Sequence, residues 1–252
     1  MMHAQNIDEV IEHLDGIIAE CLSENSKLAF FPILYRKVTI AVKSGIEQKE
    51  FEDNARMEHL DVVFANRYLE AYSQFKSGTK PTDSWIKAFD EAYAFWPIVL
   101  QHLLCGINAH INLDLGIAAA EIAGPEIETL KNDFNQINAL LSSMVEDVQQ
   151  EIGRISPIVG VLDTLAGKLD ERLVDFSIQI ARDGAWEFAK AYHQASTSER
   201  VKLIADRDHS IAWLGKDIMK PGWLLRVIAG FIKIFERKSV RKIALALEGK
   251  SP

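Results

Sequence analysis

Apolar residues recur at three- and four-residue steps along almost the whole chain, and this period restricts it to a helical fold. Ile7, Val10, Ile11, Leu14, Ile17, Ile18 and Leu22 form the first such stripe. Because each residue turns about 100° around a helix, the stripe occupies one face. The pattern predicts an amphipathic helix over 6–22, a second over about 28–44 closed near Gly45, and a third from about 50 to 76 ending before Ser77-Gly78. Gly78-Thr-Lys-Pro81-Thr-Asp reads as a loop, after which Thr82 or Asp83 can cap a short helix carrying Trp85 and Phe89. Pro97 suits the first turn of the next helix, which runs to Ala123 and stops at Gly124-Pro125. Further helices are expected at 126–151, at 157–194 with an interruption, at 197–214 and at 222–248. Ser196-Thr-Ser-Glu199 has the spacing of a capping box.

Strand signals do not compete with this reading. Asp15-Gly16 and Asp183-Gly184 could turn hairpins, but their flanks repeat at the helical period, and the β-branched run Val38–Val42 lies inside a longer helical pattern. There is no internal repeat and no linker. The expected fold is all-α, a single-domain bundle of residues 1–252 with about eight to ten helices, and 252 residues suffice for a sizeable core.

Charge and cysteine usage narrow the partners. A net charge of −8 argues against nucleic acid, which needs a basic face. The charge is uneven: Lys216–Lys242 holds eight Lys/Arg and two Asp/Glu, so +6 in that stretch leaves −14 for the rest. No apolar run reaches the roughly 18–20 residues of a membrane-spanning helix. The first residues lack the basic and then apolar regions of a secretory signal. Cys21 and Cys105 match no CxxC spacing and fall in apolar helical patterns, which suits buried thiols in a reducing compartment. A cytoplasmic location is expected.

Chemistry is concentrated in His102-Leu-Leu-Cys-Gly-Ile-Asn-Ala-His110-Ile-Asn-Leu-Asp114-Leu-Gly, a segment otherwise as apolar as a buried helix. Polar groups are costly to bury unless they are hydrogen-bonded, paired or metal-bound. On an ideal helix His110, Asp114 and Glu121 fall within about 40° of one another, while Asn108 and Asn112 lie on another side. Three readings follow. The His110–Asp114 pair could be a structural hydrogen bond, with the asparagines tying neighbouring helices. It could ligate a divalent metal, zinc or similar, with His102 reaching in from the edge. It could also serve proton transfer or ligand binding without a metal.

The helix at 50–76 carries a second set. His59, Asn66 and Glu70 share a face flanked by Arg56 and Arg67, a pattern that also suits a solvated surface. Asp61 lies opposite, beside Phe64 and Tyr68, where it needs a partner if it points inward. Asp61 and Arg67 are therefore the candidate catalytic residues, in contact with a ligand or orienting groups that are. Later in the chain, Arg182 and Trp186 lie one turn apart, as for an arginine stacked on an indole at the surface. Arg207-Asp208-His209 is a further ligand source or a solvated charge run. The terminal basic helix at about 222–248 bears an apolar stripe from Trp223, with Arg226, Lys233, Glu236 and Arg237 on the remaining arc. Such a helix can pack on the core, lie on an anionic membrane surface, or enter a partner's groove.

Two resemblances rest on these residues. Leu60-Asp-Val-Val-Phe-Ala-Asn-Arg67-Tyr-Leu-Glu70 together with Leu100–Leu115 resembles an uncharacterised bacterial all-helical family, a domain of unknown function, over most of the chain. Gly106-Ile-Asn-Ala-His110-Ile-Asn-Leu-Asp114 is similar to the GxxxHxxxD helix of zinc-dependent phospholipases C and related helical nucleases. That likeness implies that His110 and Asp114 bind zinc. With no further histidine just after Asp114 and no Trp at the N-terminus, it implies a site smaller than a trinuclear one.

Two classes of function are therefore expected. One is a small helical enzyme, hydrolytic and metal-dependent, acting on an amphiphilic or lipid-like small molecule, with peripheral membrane contact through the terminal helix. The other is a non-catalytic binding or scaffold protein whose buried polar residues specify helix pairing. No GxGxxG, P-loop, ExxH pair, CxxC or nucleophile elbow supports cofactor-bound redox chemistry or a serine hydrolase.

Overall fold

Asn6 starts the first helix by accepting the Glu9 amide at 2.9 Å, while the Glu9 carboxylate reaches back to the Gln5 amide at 2.8 Å. From there α1 (Ile7–Ser23) buries Ile7, Val10, Leu14, Ile17 and Ile18 of the stripe read from the sequence, with Cys21 beside them. The computed structural model describes residues 2–156 and 169–250, without the side chains of 169–177, and among the described residues there is no strand. The protein is an all-α bundle. A 3-10 turn at Lys27–Ala29 leads into α2 (Phe30–Glu47), and Asp53 caps α3 (Asn54–Lys76) by accepting the Arg56 amide at 3.0 Å. The short α4 (Asp83–Asp90) carries Trp85 and Phe89 into the core.

The axis of the bundle is the segment Val99–Ile122. It comprises α5 (Val99–Ala109), a π-helical turn at His110–Leu115 and α6 (Gly116–Ile122). By length and composition alone its 24 residues could cross a membrane, but 78% of the most apolar window is buried inside the protein. Its two halves belong to different apolar clusters. Val99, Leu103 and Ala109 join Leu14, Ile17 and Tyr68, whereas Leu113, Ile117 and Ala118 join Phe134, Trp186 and Ala189. Each fully buried Leu or Ile contributes about 1.5–3 kcal/mol, so this segment anchors both halves. Two glycines permit the close packing. A Cβ on Gly106 would clash with the Phe31 ring, and one on Gly116 would stand 2.7 Å from the Ala185 carbonyl oxygen.

The remaining helices are α7 (Lys131–Ile155), α8 (Leu169–Gln194), α9 (Thr197–Met219), α10 (Trp223–Phe235) and α11 (Val240–Leu247). The expected capping box is present, with the Glu199 carboxylate accepting the Ser196 amide at 2.9 Å. Pro97 lies outside the helix it was expected to open, because the turn begins at Val99. The interruption expected within 157–194 lies outside the described residues. The helix expected over 222–248 is two helices. The chain is extended at Glu236, whose buried carboxylate accepts the Val99 amide at 2.7 Å, so α10 and α11 are set apart by a polar anchor.

Candidate functional site

The π-turn sets the geometry of the polar segment. Such turns widen the helix by about one residue and occur often at functional sites. Here the widened turn leaves the Asn112 carbonyl free to accept the Arg207 Nε proton at 2.9 Å. Glu121, expected on the His110 face, is exposed.

Asp114 is the hub. Its Oδ1 accepts from Arg67 Nε at 2.9 Å and its Oδ2 from the Trp85 indole N–H at 2.8 Å, with His110 Nδ1 3.4 Å from the same Oδ2. Burial raises the Asp114 carboxyl, but Arg67, His110 and Trp85 outweigh it and hold the group below its ordinary value. Burial lowers the His110 imidazole against the opposing pull of Asp114. The pair is thus a carboxylate facing a neutral imidazole. A carboxylate beside Nδ1 favours the tautomer with the proton on Nδ1, which makes Nε2 the basic nitrogen.

Nε2 points away from this network. The ring is stacked on Phe64, with centroids 3.6 Å apart and planes within 9°, and Tyr35 stands edge-on at 4.5 Å. His110 Nε2, Tyr35 Oη and Asp61 Oδ2 are all buried and have no hydrogen-bond partner among the described residues. Thr39, one turn from Tyr35, spends its hydroxyl on the Tyr35 carbonyl at 3.1 Å. Burial, with a contribution from Glu58, pushes the Asp61 carboxyl up to about 7. Burial also drives the Tyr35 phenol well above its usual range.

These three side chains line one cavity of about 460 Å³. Its walls are otherwise almost wholly apolar, with Leu34, Val38 and Val42 from α2, Leu60 from α3, Leu103 and Ile107 from α5, and Ile137, Leu141 and Val145 from α7. Arg182 of α8 also reaches it. That arginine is buried rather than at the surface, and it stacks on Phe134 at 4.5 Å rather than on Trp186. Its guanidinium donates to the Phe134 carbonyl at 2.6 Å and to Asn138, and burial lowers it to about 9. Trp186 instead carries Lys131, 4.6 Å from its ring centre.

The other candidates separate. His102 lines a different, smaller pocket with Lys27 and Gly106, and Phe31 is common to the walls of both. Burial, with Lys27 and Lys233 nearby, lowers the His102 imidazole to about 3. Arg67 does not reach the cavity and acts by holding Asp114, whereas Asp61 faces it directly. His59 and Glu70 are exposed, and Asn66 ties down the N-terminus through the Ala4 backbone at 2.8 and 2.9 Å. Asn108 donates to the Ile211 carbonyl at 2.9 Å and accepts from Asn112 at 3.0 Å, the helix-tying role expected of that pair. Asp208 is neither solvated nor a ligand, for its carboxylate accepts the Asp83 and Ser84 amides at 2.7 and 2.9 Å and caps α4.

The expectation of a metal finds no support in this geometry. Among the described residues no three His, Cys, Asp or Glu side chains converge as a ligand set. Both Asp114 oxygens already face donors, and one of these is the Arg67 cation, which would repel a metal ion. The likeness of Gly106–Asp114 to the zinc phospholipase helix therefore extends no further than sequence spacing. Tyr35 and Arg182 were missed as cavity residues. Only the position of Tyr35 one turn after Phe31 on an apolar face hinted at its burial.

A family model described as a family of unknown function (DUF5995) matches residues 7–221, and the chain belongs to that family. No curated protein and no solved structure matches it.

Proposed function

We propose that this member of a family of unknown function is an enzyme that performs acid–base chemistry on an amphiphilic small molecule, with His110 as the base. One observation carries the reading: Tyr35, Asp61 and His110 line a single, mostly apolar cavity, and each has a buried polar atom without a partner among the described residues. Leaving a buried polar atom unpaired costs about 1–3 kcal/mol, so a fold that keeps three together has a use for them. The polar groups of a ligand would satisfy them, and the apolar walls would hold its hydrocarbon part.

The roles follow from the electrostatics. Asp114 orients the imidazole and stabilises the imidazolium that forms when Nε2 takes a proton. Arg67 and Trp85 keep Asp114 ionised and in place. Asp61 ionises near neutrality, so it can act as the acid. Tyr35 stays protonated and can donate to a developing oxyanion. The same base would serve hydrolysis through a deprotonated water or proton transfer within the ligand, and Arg182 suits an acidic head group.

The test is a panel of nitrophenyl esters of increasing acyl length, assayed with wild type, His110→Ala and Asp61→Asn, beside native mass spectrometry of the purified chain. Turnover that rises with chain length and is lost in His110→Ala supports the reading. The second reading, a non-catalytic carrier, draws on the almost wholly apolar walls. A retained amphiphile with no turnover in wild type, and equal retention in His110→Ala, would replace the enzyme with the carrier.

A further inference from the structure

The helix α10 is inside out for a soluble bundle. On its surface Trp223, Leu224, Val227, Phe231 and Ile234 share an arc of about 100°, and Ala229, Ile232 and Lys233 lie across from it. A helix in water normally buries such an apolar arc. Here the apolar arc faces solvent: Trp223 is 77% exposed, Val227 63%, Phe231 54% and Ile234 66%, while Ile232 is the one buried residue of the helix. The inward attachment is polar. Lys233 donates to the Pro97 carbonyl at 3.0 Å and pairs with Glu236 at 2.7 Å.

That attachment joins α10 to a second apolar outcrop. In the loop just before Pro97, Phe95 and Trp96 are 70% and 68% exposed, and Tyr93 is exposed beside them. The basic stretch of the chain runs through α10 and on into α11. Arg226, Lys238, Arg241 and Lys242 are exposed and make no ion pair among the described residues. The segment carries +6 in a protein whose remainder carries −14. Apolar exposure combined with unspent positive charge is complementary to one kind of surface, an apolar layer beneath negative head groups.

We infer that α10 and the Tyr93–Trp96 loop dock this protein on an anionic lipid bilayer. The apolar arc enters the head-group boundary, Trp223 and Trp96 anchor at the interface, and Lys238, Arg241 and Lys242 meet the lipid phosphates. The inference is independent of what the cavity does.

The experiment is co-sedimentation of the full chain with vesicles of phosphatidylcholine alone and of phosphatidylcholine with about 30% phosphatidylglycerol. Three proteins are compared: wild type, the combined variant Leu224→Ser/Val227→Ser/Phe231→Ser, and Lys238→Glu/Arg241→Glu/Lys242→Glu. The altered side chains are exposed, and circular dichroism verifies folding of each variant. Wild type is expected to bind the anionic vesicles at least about tenfold more strongly than the neutral ones, with added salt weakening the binding and each variant losing it. Equal binding to both vesicles, or binding unchanged in the serine variant, overturns the inference. So does light scattering that shows a wild-type dimer, a monomeric serine variant and no vesicle binding, which would assign the face to a second copy.

Discussion

His110 Nδ1 lies 3.4 Å from Asp114 Oδ2 across a π-turn, and the other ring nitrogen has no partner among the described residues. The relationship is asymmetric: one nitrogen is committed to a buried carboxylate, and the other is unpaired on a ring that lines a cavity. Most buried polar atoms have a partner, so an unpaired ring nitrogen on the wall of a cavity is a candidate for contact with a ligand.

Removing the hub should cost more than removing the base. Asp114→Ala strands the Arg67 cation and the Trp85 N–H, and because the Arg67 side chain is 24% exposed, water relieves part of the penalty. A loss of about 3 kcal/mol is expected, the lower end for breaking a buried pair. His110→Ala should lose about 1–3 kcal/mol. Urea denaturation of both variants checks the order, and equal losses would contradict the role of Asp114 as hub.

Asp61 should make stability depend on pH. Its carboxyl ionises at its ordinary 3.8 in the unfolded chain and at about 7 in the fold. The folded state holds a proton that the unfolded state has released, so this contribution is present below about pH 4 and is lost as pH rises through about 7. Asp61→Asn is expected to flatten the decline between those limits. Denaturation midpoints measured across that range test this, and an unchanged slope would refute it.

At neutral pH Asp61→Leu should be as stable as wild type or more so, because it removes a buried carboxyl oxygen without a partner. The same variant should lose ligand retention and turnover. A large loss of stability would show that Asp61 has a structural partner after all.

The helix contacts at the two glycines should tolerate no side chain. Gly116→Ala drives a methyl into the Ala185 carbonyl, a backbone atom that cannot swing aside, and Gly106→Ala meets the Phe31 ring. Overpacking of this kind costs about 1–3 kcal/mol. Thermal melts of the two variants should both show the loss. Gly106→Ala should also disturb the cavity, since Phe31 lines it.

Asp208 should behave as a helix cap on another helix. Asp208→Ala leaves the Asp83 and Ser84 amides without their acceptor, for an expected loss of about 0.5–2 kcal/mol. Denaturation checks it, and Asp208→Asn should recover part of the loss.

The helical period alone determined the all-α fold and most helix positions, because burying one face of a helix leaves its mark every three or four residues. The cost of burying polar groups likewise marked Asp61, His110 and Asp114 in one dimension, since such residues are conspicuous in apolar surroundings. What lay between helices was decided by tertiary structure. Glu121, placed by ideal geometry on the face of His110, is exposed, because burial depends on what packs against a helix and not on its phase alone. His102 and His110 went to different pockets, and Asp114 was claimed by Arg67 and Trp85 from two other helices. Tyr35 joined the cavity from an apolar helix face, and Arg182, read from the sequence as a surface arginine, joined it from α8. An apolar stripe on α10 was legible as a stripe, yet its direction was not. Periodicity reports that a helix has two faces, and only the packing of its neighbours determines which one meets the solvent.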